Sequence, residues 1–140
     1  MNIKAAVLFA ACVFLTSAGL AIAHHSFAAE FDANKPITLH GKVTKVELIN
    51  PHGWLYMDVV GADGKVTNWA IETNGPNALL RRGWRKDTVK VGFDVVVQGY
   101  VARNGSPTAN GTSITLPNGE KLFVGSTGTG APTDQQPKSN

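Results

Sequence analysis

From Pro36 onward the chain reads as strand, and its first segment alternates between apolar and polar residues, the period of a strand with one buried face. Ile37, Leu39, Gly41 and Val43 alternate with Thr38, His40, Lys42 and Thr44, and the apolar phase then slips by one residue to Val46 and Leu48. A slip inside so long a strand predicts a β-bulge or a sharp bend. Asn50-Pro51-His52-Gly53 predicts a turn, residues 54–60 a second strand, Asp63-Gly64 a hairpin turn, and residues 66–73 a third strand.

The pattern then changes. Pro76 is suited to the first helical position after Asn74 or Gly75. Ala78, Leu79 and Leu80 favour a helix, and Gly83 is suited to end it. Residues 93–103 predict a fourth strand and Asn104-Gly105 a turn. Residues 111–116 begin a fifth strand, and residues 121–124 continue it or add a short sixth. The stretch from Phe27 to Lys35 is mixed, and is expected to be irregular or briefly helical.

Strand, strand, strand, short helix, strand, strand is the order of an OB-like closed barrel. The expected fold is therefore all-β: a small OB-like barrel of five to six strands, with one short helix between the third and fourth. A β-sandwich is the competing arrangement, but two sheets need more strands.

The first residues have the three parts of a cleavable leader. Lys4 gives the positive start, residues 5–15 the apolar run, and Ala21 and Ala23 the small residues before a cut. The apolar run is short for a membrane span, and Thr16, Ser17 and Gly19 interrupt its end. The expected division is a signal peptide at 1–23, a barrel domain at 24–125 and a disordered tail at 126–140, where Gly, Thr, Pro, Gln, Ser and Asn leave little to bury. This places the mature chain in the periplasm or outside the cell. The single cysteine, Cys12, falls within the leader, so the domain's stability rests on an ordinary core and not on disulfides. A net charge of +3 is too small for a strong nucleic-acid binder.

The sharpest candidate chemistry lies at the junction. Cleavage after Ala23 makes His24 the first residue. The freed α-amine, with an ordinary pKa near ~7.7, joins its own imidazole in a chelate. Such nitrogen donors suit Cu(II) best among available divalent ions. A second mode uses the amine with the amide and imidazole of His25, and the sequence leaves both open. His52, in the 50–53 turn, is the candidate third nitrogen; its plain alternative is a turn histidine bonded to local backbone. His40 falls among solvated strand positions. Asp58 and Glu72 are candidate supports for a ligand histidine, with exposed strand carboxylates as the expected reading for both. Glu30 and Asp32 lie near the new N-terminus. No zinc spacing occurs.

A second candidate is the basic run at 81–86. Arg81, Arg82 and Arg85 could grip an anion, with Trp84 stacking beside them. The plain alternative is a helix end whose cations complement the negative end of the dipole, with Trp84 packed on the barrel. Asn110-Gly111-Thr112 matches a glycosylation sequon, which matters only in a eukaryotic secretory route.

Three strings carry a resemblance: His24-His25-Ser26-Phe27-Ala28-Ala29-Glu30-Phe31-Asp32, Asn50-Pro51-His52, and Leu79-Leu80-Arg81-Arg82-Gly83-Trp84. Together they resemble a family of small exported bacterial proteins known only as a domain of unknown function. The resemblance implies a periplasmic OB-like barrel and no established activity. It departs before the fourth strand, where the family's Gly-Asp pair reads Gly92-Phe93-Asp94 here.

The leading expectation is thus a periplasmic, non-catalytic binding module that takes Cu(II) through His24, His25 and His52. The alternative is an OB-like module that binds an anionic or oligomeric ligand, or a partner protein, through Arg81, Arg82, Trp84, Arg85 and the barrel face. A copper oxidase or monooxygenase is a third reading, for which no supporting tyrosine constellation is evident.

Overall fold

The computed structural model describes residues 26–126 and Pro132. The expected leader, its expected junction with His24 and His25, and the residues beyond Ser126 apart from Pro132 lie outside the described residues.

A helical turn, α1 (Phe27–Glu30), leads directly into a long strand, β1 (Phe31–Leu48). There follow β2 (Gly53–Val60), β3 (Val66–Thr73), the short helix α2 (Pro76–Arg81), β4 (Asp94–Ala102), β5 (Thr108–Thr115) and β6 (Lys121–Phe123). The brief helix near Phe27 and the helix between the third and fourth strands match the sequence pattern. Two boundaries differ by three residues or more. β1 starts at Phe31 and not at Pro36, because Phe31 already pairs with Ala102 of β4. β5 starts at Thr108 and not at Gly111, because Thr108–Asn110 pairs along β3, which alternation within β5 alone does not reveal.

The strands run β3-β2-β1-β4-β5-β6, and β3 also pairs with β5 in parallel, so the sheet closes in a ring of OB-like connectivity. β1 makes the closure possible. Its first half pairs with β4 and its second with β2, and Gly41 is opposite both Val95 and Val59. A side chain on Gly41 would run into the Asp58 carbonyl and come within 2.9 Å of Met57 Cε. Only glycine lets the two neighbours come this close. The register on β2 shifts between Val43 and Lys45, a bulge where the apolar phase slips.

The main core fills the ring with Leu39, Val43, Leu55, Met57, Ile71, Val97, Ala109 and Ile114, and the β3–β4 connection adds Leu79, Trp84 and Val89. Gly75 caps α2 and Pro76 occupies its first turn; Gly83, at φ 94°, ends the connection's helical path. A second, smaller cluster joins Phe27 and Phe31 to Ala102 and Tyr100. Phe27 meets the Tyr100 ring edge-on at 5.5 Å between centroids.

Pairing fixes what this second cluster covers. Leu55, Ile71 and Ala109 form an inward row across β2, β3 and β5. The next row, Trp54, Glu72, Asn110 and Tyr100, therefore faces away from the core. α1 and the start of β1 lie over that outward row. Among the described residues no helix is long and apolar enough to cross a membrane.

Candidate functional site

His52 is placed by its turn. The Asn50–Pro51 peptide is cis, and the amide of Gly53 donates to Asn74 O at 3.1 Å. Gly75 packs so tightly on the Pro51 carbonyl that a Cβ there would collide with it. The turn is thus pressed against the exit of β3, and His52 arrives beside Glu72. Its Nδ1 lies 3.1 Å from Glu72 Oε1, close enough for an ion pair but not aligned as a formed hydrogen bond.

The outward row and the N-terminal turn enclose a cavity of about 210 Å³. Phe27, Phe31 and Trp54 supply aromatic walls, and His52, Glu72, Asn110 and Glu30 supply polar ones. Glu72 is 8% exposed and Asn110 only 2%. His52 Nδ1 and Asn110 Oδ1 are both buried and have no hydrogen-bond partner among the described residues. Buried polar atoms are nearly always paired, so two such atoms set this cavity apart from the apolar core.

This corrects the reading of Glu72 as an exposed strand carboxylate. Glu72 does face away from the core, but the N-terminal turn covers that face. Asp58, the other candidate support, is elsewhere: Asn68 Nδ2 donates to its Oδ1 at 2.7 Å. Asp32 accepts from the Asn34 amide and lies 3.9 Å from Lys35 Nζ. His40 is exposed. Asn110 was visible in the sequence only as a sequon. Its burial follows from the parallel β3–β5 pairing, for which the sequence carries no local signal.

Among the described residues no three His, Cys, Asp or Glu side chains converge as a metal-binding group. His52 is the one predicted ligand that the described residues include, and its Nδ1 lies beside the Glu72 carboxylate. A copper chelate would draw its other nitrogens from His24 and His25, outside the described residues.

The basic run is engaged locally. Arg82 Nη1 donates to Gly125 O at 2.9 Å, and its guanidinium lies 4.5 Å from the centre of the Phe123 ring. Arg85 Nη1 donates to Leu80 O at 3.3 Å, a carbonyl at the end of α2, and to Trp84 O at 2.8 Å just beyond it. Trp84 is 4% exposed, so it offers no face on which a ligand could stack. Arg81 and Lys86 are exposed. These contacts are those of a packed helix end.

No curated protein matches the chain. A family described as a family of unknown function, DUF6152, matches residues 12–113, and the chain belongs to that family.

Proposed function

We propose that the protein is a periplasmic, non-catalytic binding module that takes Cu(II) through the amine and imidazole of a mature His24, with His25 and His52 as further nitrogen donors. One observation carries the reading. Phe27, three residues after His24, lines the same small cavity as His52. A chain of so few residues has a short reach, at most ~3.3–3.6 Å per residue, so an N-terminus at His24 starts within range of the His52 turn. The aromatic walls lower the local polarity, which strengthens coordination there. The opening residue suits copper, because a free amine and imidazoles are donors that place it above the other divalent ions.

The test is a Cu(II) titration of protein that begins at His24, followed by electron paramagnetic resonance. One tight equivalent with a nitrogen-rich axial spectrum is expected, weakened by His52→Ala. The same protein carrying one extra residue before His24 should lose tight binding. Equal binding by that extended protein overturns the reading.

A further inference from the structure

We infer that the cavity under α1 binds a small primary ammonium ion, with Asn110 and Glu72 accepting its N–H groups and the rings of Phe27, Phe31 and Trp54 enclosing its charge and its carbon chain. This goes beyond the copper reading and is independent of it, since it uses neither His24 nor His25 and no metal.

The walls set the charge of the guest. Glu30 and Glu72 are carboxylates, and among the described residues no lysine or arginine lines the cavity. Phe27, Phe31 and Trp54 form the rest of the wall. A cation is drawn to the faces of such rings, and more strongly where water is kept out. Depth then divides the polar groups. Glu30 is exposed and His52 partly exposed, so they stand at the mouth, whereas Glu72 and Asn110 are buried at the floor. The cover over this floor is fastened: Arg103 Nε donates to Ala28 O at 2.9 Å and to Phe31 O at 3.0 Å, which ties α1 and the start of β1 to the end of β4. A cation that enters therefore ends among rings, a carboxylate and an amide.

Asn110 decides which kind of cation fits. The β3–β5 register sets it directly beside Glu72. It is buried, and its Oδ1 has no hydrogen-bond partner among the described residues. A buried carbonyl oxygen without a donor is costly, and a ligand that brings a donor removes the cost. A primary ammonium carries N–H donors, whereas a quaternary one carries none. Glu72 takes a second donor. A carboxylate accepts several at once, so an N–H of the ion can join His52 Nδ1, which lies 3.1 Å from Glu72 Oε1. The size agrees. The cavity is about 210 Å³, well above the ~30 Å³ share of a single water. It holds an ion with a short carbon chain, whose methylenes rest against the rings.

The experiment uses protein that begins at His24, stripped of metal by a chelator, and n-propylammonium chloride as the probe. n-Propanol is the neutral counterpart, and tetramethylammonium is a cation without N–H donors. Nuclear magnetic resonance follows the Trp54 indole, the His52 ring and the Asn110 side-chain amide at constant ionic strength. A ligand of so few atoms binds weakly, so n-propylammonium should saturate these shifts with a Kd of about 1–10 mM. n-Propanol and tetramethylammonium should each bind at least about 10-fold more weakly, because neither makes a charge-assisted hydrogen bond. Asn110→Leu and Glu72→Gln should each weaken n-propylammonium by about 10-fold or more through the same loss. Thermal unfolding checks that each variant is folded, and the three probes on wild type decide the matter even where a variant is not. Equal binding of n-propanol or of tetramethylammonium overturns the inference. So does wild-type affinity in both folded variants, or the absence of saturable shifts, which leaves the cavity to water. With no metal present, none of these outcomes bears on copper binding, which the Cu(II) titration tests by itself.

Discussion

Glu72 and Asn110 lie side by side across the parallel β3–β5 seam, and both are buried although their row faces away from the core. What buries them is the turn that precedes β1. Phe27, itself 3% exposed, stacks on Phe31 and meets the edge of Tyr100. The cavity therefore exists only while this segment is docked.

Phe27→Ala tests that dependence. Truncating a buried phenylalanine costs about 3 kcal/mol where the site cannot collapse. The second cluster is small and sits at the edge of the fold, so the loss should show less in global unfolding than in local opening. Hydrogen exchange should accelerate at the amides of residues 27–31 and along the β3–β5 seam, while amides beside Met57 and Ile71 stay protected. Uniform acceleration across the ring would mean that the turn is integral to the main core.

Much of the ring was legible in the sequence because its causes are local. The phase slip near Thr44 marks the bulge, Asp63-Gly64 marks the hairpin, and Pro76 with Gly83 brackets the short helix. The site was less legible because its causes are not local. The sequence places Glu72 on the third strand, but does not show that α1 covers the face it presents. Asn110 becomes a neighbour of Glu72 only through a pairing between strands far apart in the chain. His52 could be named because turn histidines are few, and its carboxylate partner could be named only as one of two candidates.

Arg82 should prove structural. It reaches the Gly125 carbonyl, which also accepts from Asn74 Nδ2 at 3.1 Å, and it covers Phe123. Losing a charged hydrogen bond and a cation–π contact should cost about 1–3 kcal/mol in urea unfolding of Arg82→Ala. Arg81→Ala, at an exposed position, should change stability by no more than about 0.5 kcal/mol. Equal effects from the two would remove the clamp on residues 124–126 as the explanation.

A third cluster, on the outer side of β1 and β2, gives a pH prediction. The Tyr56 phenol is held above its ordinary value, first by burial and then by its hydrogen bond with Glu47. Glu47 is held below its own ordinary value, chiefly by Lys45, whose ammonium lies 2.6 Å away. For Tyr56 the sign is clear: folding favours the neutral phenol. Its contribution is complete below the unfolded phenol's pKa and is lost as pH rises through the folded one. An ultraviolet titration should show Tyr56 ionising later than an ordinary tyrosine. Glu47→Gln should bring it part of the way back, since burial remains. A full return to the ordinary value would make Glu47, and not burial, the main cause.

The last prediction separates backbone fit from backbone conformation. Gly75 has an ordinary φ of −63°, so alanine is conformationally acceptable there, but its Cβ would strike the Pro51 carbonyl. Gly64 is the reverse: its φ of 77° is unfavourable for alanine, while a Cβ would meet nothing. Gly75→Ala should cost about 1–3 kcal/mol through overpacking, and Gly64→Ala about 1–2 kcal/mol through left-handed backbone. Similar stability losses should then part company at the site. Gly75→Ala pushes the turn that carries His52 away from Glu72, so the His52 ring resonances should shift and any His52-dependent Cu(II) affinity should drop. Gly64→Ala, in the β2–β3 hairpin, should leave both unchanged. If the His52 resonances shift equally in the two variants, loss of stability and not the Pro51–Gly75 contact governs the position of His52.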